Sequence, residues 1–173
     1  MEQIDEKTFA QLARLAGFGR TGFCSAAAFT AERKAVERGP EIAERRQLRF
    51  DPSADDPRTK SIAVMLWPYV PAAQEEDGCV FVDGYYFASN AAYHAARALE
   101  AQLTEAGHFA KANVSYPARE AALRAGMGVI GQNGMLITPE YGSRFVIILM
   151  ATDIVHTAPD CGEHGGCLHC GRC

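Results

Sequence analysis

The sequence predicts an α+β fold, a sheet covered by helices, and three observations carry that reading. Residues 61–67 (SIAVMLW) and 143–153 (SRFVIILMATD) are apolar at successive positions, as in strands buried on both faces. Phe9, Leu12 and Leu15 repeat at helical spacing, and residues 91–106 carry an alanine- and leucine-rich helical face. Strands and helices intermix without regular βαβ alternation, which points away from a parallel α/β sheet.

The elements follow in order. Gly17 and Gly19 close the first helix, and the apolar run 22–29 contains a short strand. Charged helical turns occupy 30–46, interrupted by the breaker pair Gly39-Pro40. Residues 50–59 (FDPSADDPRT) read as a loop from their Pro and Asp content. The strand at 61–67 is stopped by Pro68, a polar loop follows over 71–78, and 79–82 is a short strand. Beyond the helix at 91–106, Ser115 caps a helix with Pro117 in its first turn, which reaches Arg124 and ends at Ala125-Gly126. The segment GMGVIGQNG reads as a glycine-rich turn rather than regular structure. The run 143–153 is the central strand, after which the chain leaves the domain through 157–160. This divides the chain into a domain over 1–157 and a cysteine-rich segment over 158–173.

Composition narrows the function. At 173 residues, 48% hydrophobic and 22% charged, the chain is long enough for a substantial core without staples. The net charge of −4 argues against broad electrostatic binding to nucleic acid. Eight basic residues between Arg33 and Lys60 share their span with six acids, which reads as a solvated surface. No apolar stretch approaches the ~20 residues needed to span a bilayer. The first residues show no apolar signal-peptide core. Together with cysteines spaced for metal rather than for pairing, this predicts a cytoplasmic protein.

Four of the six cysteines, Cys161, Cys167, Cys170 and Cys173, fall in the final CGEHGGCLHCGRC. The C-x2-C-x2-C spacing lets three thiolates converge from one loop onto an iron–sulfur cluster. Two readings stay open. In the favoured one the native chain continues beyond Cys173. In the other, Cys161 supplies a fourth thiolate to a single cluster or to a mononuclear site, with zinc as the alternative metal. His164 and His169 flank these cysteines, and His169 reads as a neighbour tuning the site. Cys24 and Cys79 read as core and strand residues.

Between Arg124 and Ser143 lie Gly126, Gly128, Gly131, Gly134 and Gly142, more glycine than a simple hairpin needs. Glycine permits positive φ and close backbone approach to a ligand, so the stretch reads either as a structural turn or as a ligand loop. It is neither a P-loop nor a dinucleotide fingerprint, because the flanking Lys-Ser/Thr, strand and helix signals are absent.

The block ALRAGMGVIGQNGMLITPEYGS, the apolar strand after it, Thr152-Asp153 and the C-x2-C-x2-C run together resemble the epoxyqueuosine reductase family. That family belongs to a wider circle of cobalamin-dependent iron–sulfur reductases that includes the reductive dehalogenases. Asp56-Pro57-Arg58-Thr59-Lys60-Ser61-Ile62, Trp67-Pro68-Tyr69 and Ala92-Tyr93-His94 extend the likeness over roughly Phe50 to Cys173. The resemblance implies a nitroreductase-like cobalamin-binding domain over 1–157, with the start of a truncated ferredoxin-type segment over 158–173. It also implies a 4Fe-4S cluster that reduces cobalamin and so drives substrate reduction, with an electron donor as partner. By match, Tyr93, His94, Arg119, Gly131, Asn133, Gly134, Gly142 and Ser143 would lie near the corrinoid, and the four terminal cysteines would hold the metal.

The chain departs from the pattern at two acids. The aspartate taken as the family's proton donor falls on Ala112 or, shifted to match the proline, on Val114, and the Asp of Asp-Tyr-His is Ala92. A small-molecule substrate is therefore favoured over epoxyqueuosine in tRNA. A flavin-dependent nitroreductase-like enzyme and a non-catalytic metal- or corrinoid-binding protein are the alternatives. A homodimer is compatible with the sequence. Tyr93 and His94 read as core or satisfied polar residues by default, and Tyr85, Tyr86 and Phe87 as a packing cluster.

Overall fold

A computed structural model describes residues 4–36, 47–70 and 82–161. The pair Gly39-Pro40, residues 79–81 of the expected short strand, His164, His169, Cys167, Cys170 and Cys173 lie outside them. Val82, the last residue of that expected strand, belongs to no strand.

Helix α1 (Glu6–Leu15) starts where Asp5 accepts a hydrogen bond from the Thr8 amide. It ends before Gly17, whose φ of +106° few other residues adopt. Strand β1 (Arg20–Ser25) follows, then helix α2 (Thr30–Val36) and a one-turn helix α3 (Pro52–Asp55). Strand β2 (Ser61–Pro68) leads to the long helix α4 (Gly84–Glu105) and the short strand β3 (Ala110–Ala112). Helix α5 (Ala118–Arg124), the hairpin strands β4 (Val129–Ile130) and β5 (Leu136–Ile137), and strand β6 (Phe145–Thr152) complete the order.

Four strands make one antiparallel sheet in the order β1-β2-β6-β3, so the two long apolar runs are its central pair. Their alternation sorts two cores. Ala63, Met65, Val146, Ile148 and Met150 face Phe9 and Ala13 of α1 and the Ala88-Ala92-Ala96-Leu99-Leu103 stripe of α4. Ile62, Val64, Leu66, Phe145, Leu149 and Ala151 face Ala121 and Ala122 of α5, with Phe29, Tyr116, Met127 and Leu136. A sheet covered on both faces explains why neither strand alternates polar with apolar residues.

Several boundaries differ from the sequence reading, each for a physical reason. The strand expected within 22–29 is there but starts two residues before that run, as Arg20–Ser25, and its ladder with β2 ends at the pair Ser25↔Ser61. The loop at 50–59 contains α3, started by Asp51, whose carboxylate accepts from the Ala54 amide, with a proline in the first turn. Helix α4 begins seven residues earlier than 91, at Gly84, where Asp83 caps the Tyr85 amide and Ala88 extends the buried stripe by one turn. Ser115 does not cap α5. Pro117 occupies the N-cap position, without a side-chain cap bond. The glycine-rich segment, read as a turn without regular structure, holds strand β4 and the turn of the β4–β5 hairpin, paired Val129↔Ile137 and Ile130↔Leu136.

Candidate functional site at the glycine hairpin

The hairpin between α5 and β6 is where candidate residues converge. The Gly131 amide donates to Met135 O, the Gly134 amide to Gly131 O, and Asn133 Oδ1 accepts from the Met135 amide. Arg119, on α5, donates through Nη1 to Gly134 O, so four of the named residues form one bonded turn. Asn133 is therefore engaged by its own loop. A side chain at Gly131 would stand 2.9 Å from both Asn133 Oδ1 and Ile137 Cδ1. Loop packing thus accounts for Gly131.

A second turn follows. The Thr138 and Gly142 backbones exchange hydrogen bonds of 2.8 and 3.0 Å, and Gly142 holds φ at +59°. A Cβ at Gly142 would meet nothing within 4 Å. This glycine borders a cleft of about 590 Å³ lined by Pro68, Tyr69, Pro139, Glu140, Tyr141 and Arg144. Ser143 follows it, half-buried. A second cleft of about 570 Å³ lies beside Arg119, between Tyr116, Leu123 and Ile130.

Residues the sequence reading missed hold this region in place. Arg20 at the start of β1 donates to Met127 O (3.1 Å) and Gly126 O (3.3 Å) and pairs with Glu140 at 3.2 Å. No local pattern marks this arginine, because its partners are more than a hundred positions away. Tyr141 reaches back to donate its hydroxyl to Gly19 O.

The exit toward the cysteine run docks on the same loop. Asp160 accepts from the Ser25 amide (2.7 Å) and hydroxyl (2.6 Å). The Cys161 amide donates to Arg124 O at 2.7 Å, satisfying a carbonyl at the C-terminal end of α5. Cys161 is half-buried against Gly126, and Cys24 is fully buried, as read. Burial, and secondarily the Asp160 carboxylate, pushes the Cys24 thiol up to about 12.

Two carboxyl groups stand close together beside Arg119. Burial, then Glu32, raise the Glu120 carboxyl above its ordinary value, against the opposing Arg124 guanidinium 3.4 Å away. Tyr116 is raised too, by burial and by its bond to Asp55.

Tyr93 and His94 do not join the hairpin. They sit on the solvent side of α4, Tyr93 being 48% exposed, with their rings edge to face. Helix α4 covers the opposite face of the sheet from α5. Neither residue is core. Tyr85, Tyr86 and Phe87 are likewise exposed, although Tyr85 packs on Tyr69 and Tyr86 on Phe87. Among the described residues no group of three or more His, Cys, Asp or Glu could hold a metal ion, and no helix is long and apolar enough to cross a membrane. Of the four candidate metal ligands, only Cys161 is described.

No protein-family model matches the sequence, and no curated protein is similar to it in sequence. Solved structures are similar in fold. An epoxyqueuosine reductase from Streptococcus thermophilus is 23% identical with a TM-score of 0.69, over 95% of this chain and 50% of that one. An epoxyqueuosine reductase from Bacillus subtilis is 22% identical with a TM-score of 0.71, over 97% and 49%. A reductive dehalogenase described in terms of B12-dependent dehalogenation is 16% identical with a TM-score of 0.64, over 95% and 22%. The chain spans about half the length of the epoxyqueuosine reductases it matches. At these identities the likeness is one of fold, and the chain has an α+β fold also found in these reductases.

Proposed function

We propose that this chain is the corrinoid-binding module of an iron–sulfur oxidoreductase resembling epoxyqueuosine reductase. Its domain over 1–157 is nitroreductase-like, and a ferredoxin-type segment begins at 158. When bound, a 4Fe-4S cluster and cobalamin would supply the electron transfer and the two-electron reduction of substrate. The observation that carries the reading is the docking of the cysteine run's first residue on the glycine hairpin. Cys161 is hydrogen-bonded to Arg124 and packed on Gly126, so an electron source at Cys161, Cys167, Cys170 and Cys173 would begin beside the hairpin.

The residues present suit a flat macrocycle. Gly142 presents bare backbone to an open cleft, which a bulky side chain there would fill. Arg119 and Arg20 fix the hairpin carbonyls, so the loop is shaped before a ligand arrives. Gly131, Asn133, Gly134 and Ser143 would then border the ring through their backbone.

A small-molecule substrate suits the chain better than epoxyqueuosine in tRNA. Ala112 is buried in β3 and Val114 is half-buried, and neither can donate a proton at the position of the family's acid. Loss of a placed general acid typically costs a factor of ~10²–10⁴.

Visible absorption of anaerobically purified protein tests the proposal. A corrin band with a broad charge-transfer shoulder is expected. A flavin band would move the chain to the flavin-dependent alternative, and protein carrying only zinc would make it a non-catalytic metal binder.

A further inference from the structure

At the open end of the two central strands, Tyr69 and Arg144 are cross-strand neighbours. The last ladder pair is Pro68↔Phe145, and the Tyr69 amide donates to Arg144 O at 3.2 Å. The Arg144 amide in turn donates to Tyr141 O. Both side chains line the cleft that Gly142 borders. Among the described residues the Arg144 guanidinium makes no hydrogen bond or ion pair, whereas the cleft's one carboxylate, Glu140, is already paired with Arg20. Among the described residues, the cleft therefore presents one uncompensated cation.

Its walls offer flat rings, with polar and apolar surface in similar measure. Pro68 and Pro139 contribute rings without backbone donors, and Tyr69 is steadied by an edge-to-face contact with Tyr85 at 5.8 Å. Tyr141 is tied by its hydroxyl to Gly19. A planar guanidinium matches a planar carboxylate through two parallel hydrogen bonds. A phosphate dianion would call for more than one positive charge, and the cleft has no second free cation among the described residues.

We infer that the Tyr69–Arg144 cleft binds the carboxylate of a flat, aromatic-sized organic acid, with Arg144 holding the carboxylate and Tyr69 the ring. The inference rests on the corrinoid reading only in treating that acid as the substrate of the same site. Binding itself depends on the cleft alone.

The test titrates the purified chain with benzoate, benzamide and inorganic phosphate, following backbone amide shifts by NMR. Saturable shifts at Tyr69, Tyr141, Gly142 and Arg144 are expected with benzoate and not with benzamide or phosphate. Arg144→Met should weaken benzoate about 10- to 100-fold, the range for a charge-assisted contact, and Arg144→Lys less. Tyr69→Leu should cost about 2- to 10-fold. Equal binding of benzoate and benzamide by the unaltered chain overturns the inference, as does phosphate binding in preference to benzoate. Undiminished benzoate binding by a folded Arg144→Met variant does the same. Hydroxocobalamin is titrated separately. Benzoate binding without cobalamin binding upholds the cleft and removes the corrinoid reading. If Arg144→Met weakens cobalamin but not benzoate, the arginine serves the cofactor and the inference fails.

Discussion

The Cys161 Sγ occupies the space beside Gly126 that a side chain there would need, since a Cβ on Gly126 would come within 2.7 Å of it. The glycine also holds φ at +65°. Two demands therefore meet at one position: a backbone turn out of α5, and room for the first residue of the cysteine run. Gly126→Ala should cost about 1–3 kcal/mol by denaturant unfolding, from strained φ and displaced packing. It should also raise the alkylation rate of Cys161, measured by mass spectrometry of the modified peptide. An unchanged rate would mean that the segment is not held by this contact.

The glycines of the hairpin are not equivalent. A Cβ at Gly128 would overlap the carbonyl oxygen of Ile137 across the β4–β5 ladder, whereas at Gly142 it would meet open space. Gly128→Ala should cost more than 2 kcal/mol and disrupt the hairpin, by analogy with overpacking in a core. Gly142→Ala should cost about 1 kcal/mol, from its positive φ alone. Chemical denaturation of the two variants side by side checks the order, and equal losses would contradict the geometry.

Glu120 gives the fold a pH dependence of definite sign. Its carboxyl is raised in the folded protein, chiefly by burial and then by Glu32. The folded state therefore holds this proton more tightly than the unfolded chain. The associated stability is fully present below the ordinary value of 4.5 and is lost as pH rises through the folded value. Glu120→Gln should flatten that part of the stability–pH curve. Urea midpoints between pH 4 and pH 8 read the difference, and parallel curves for the two proteins would remove Glu120 as its source.

Cys24 should resist modification. Its thiol is pushed up to about 12, first by burial and then by Asp160, so little thiolate exists at neutral pH. Iodoacetamide at pH 8 should leave the Cys24 peptide unmodified in native protein and modify it fully in urea. Asp160→Asn should lower the thiol value only in part, because burial is the larger cause. It should also loosen the exit segment by removing charge-assisted bonds to Ser25.

How far the fold could be read depended on how local each cause was. Helix α1 announces itself through apolar periodicity and strands β2 and β6 through unbroken apolar runs, because their buried faces are made by their own side chains. The first two turns of α4 were hidden by Tyr85, Tyr86 and Phe87, which are exposed and contribute nothing to an inward stripe. Strand β3 has only three residues, and its pairing with Met150, Ala151 and Thr152 defines it rather than its composition. At the site, the glycines and Arg119 were visible as residue types at suggestive positions, and the structure joins Arg119 to Gly134. Arg20 and the Gly126–Cys161 contact were not visible, since each links segments that meet only through the sheet. The placement of Tyr93 and His94 away from the hairpin was equally unreadable, because it depends on which face of the sheet α4 covers.

The central claim is that bare backbone at Gly142 makes room for a corrinoid over the hairpin. Titration of the purified chain with hydroxocobalamin, followed by the corrin absorption band, tests this most directly when run beside Gly142→Ala and Gly142→Phe. The account predicts saturable one-to-one binding that Gly142→Ala retains and a folded Gly142→Phe variant loses. No change in the corrin band with the unaltered chain, or equal binding by all three proteins, would contradict it.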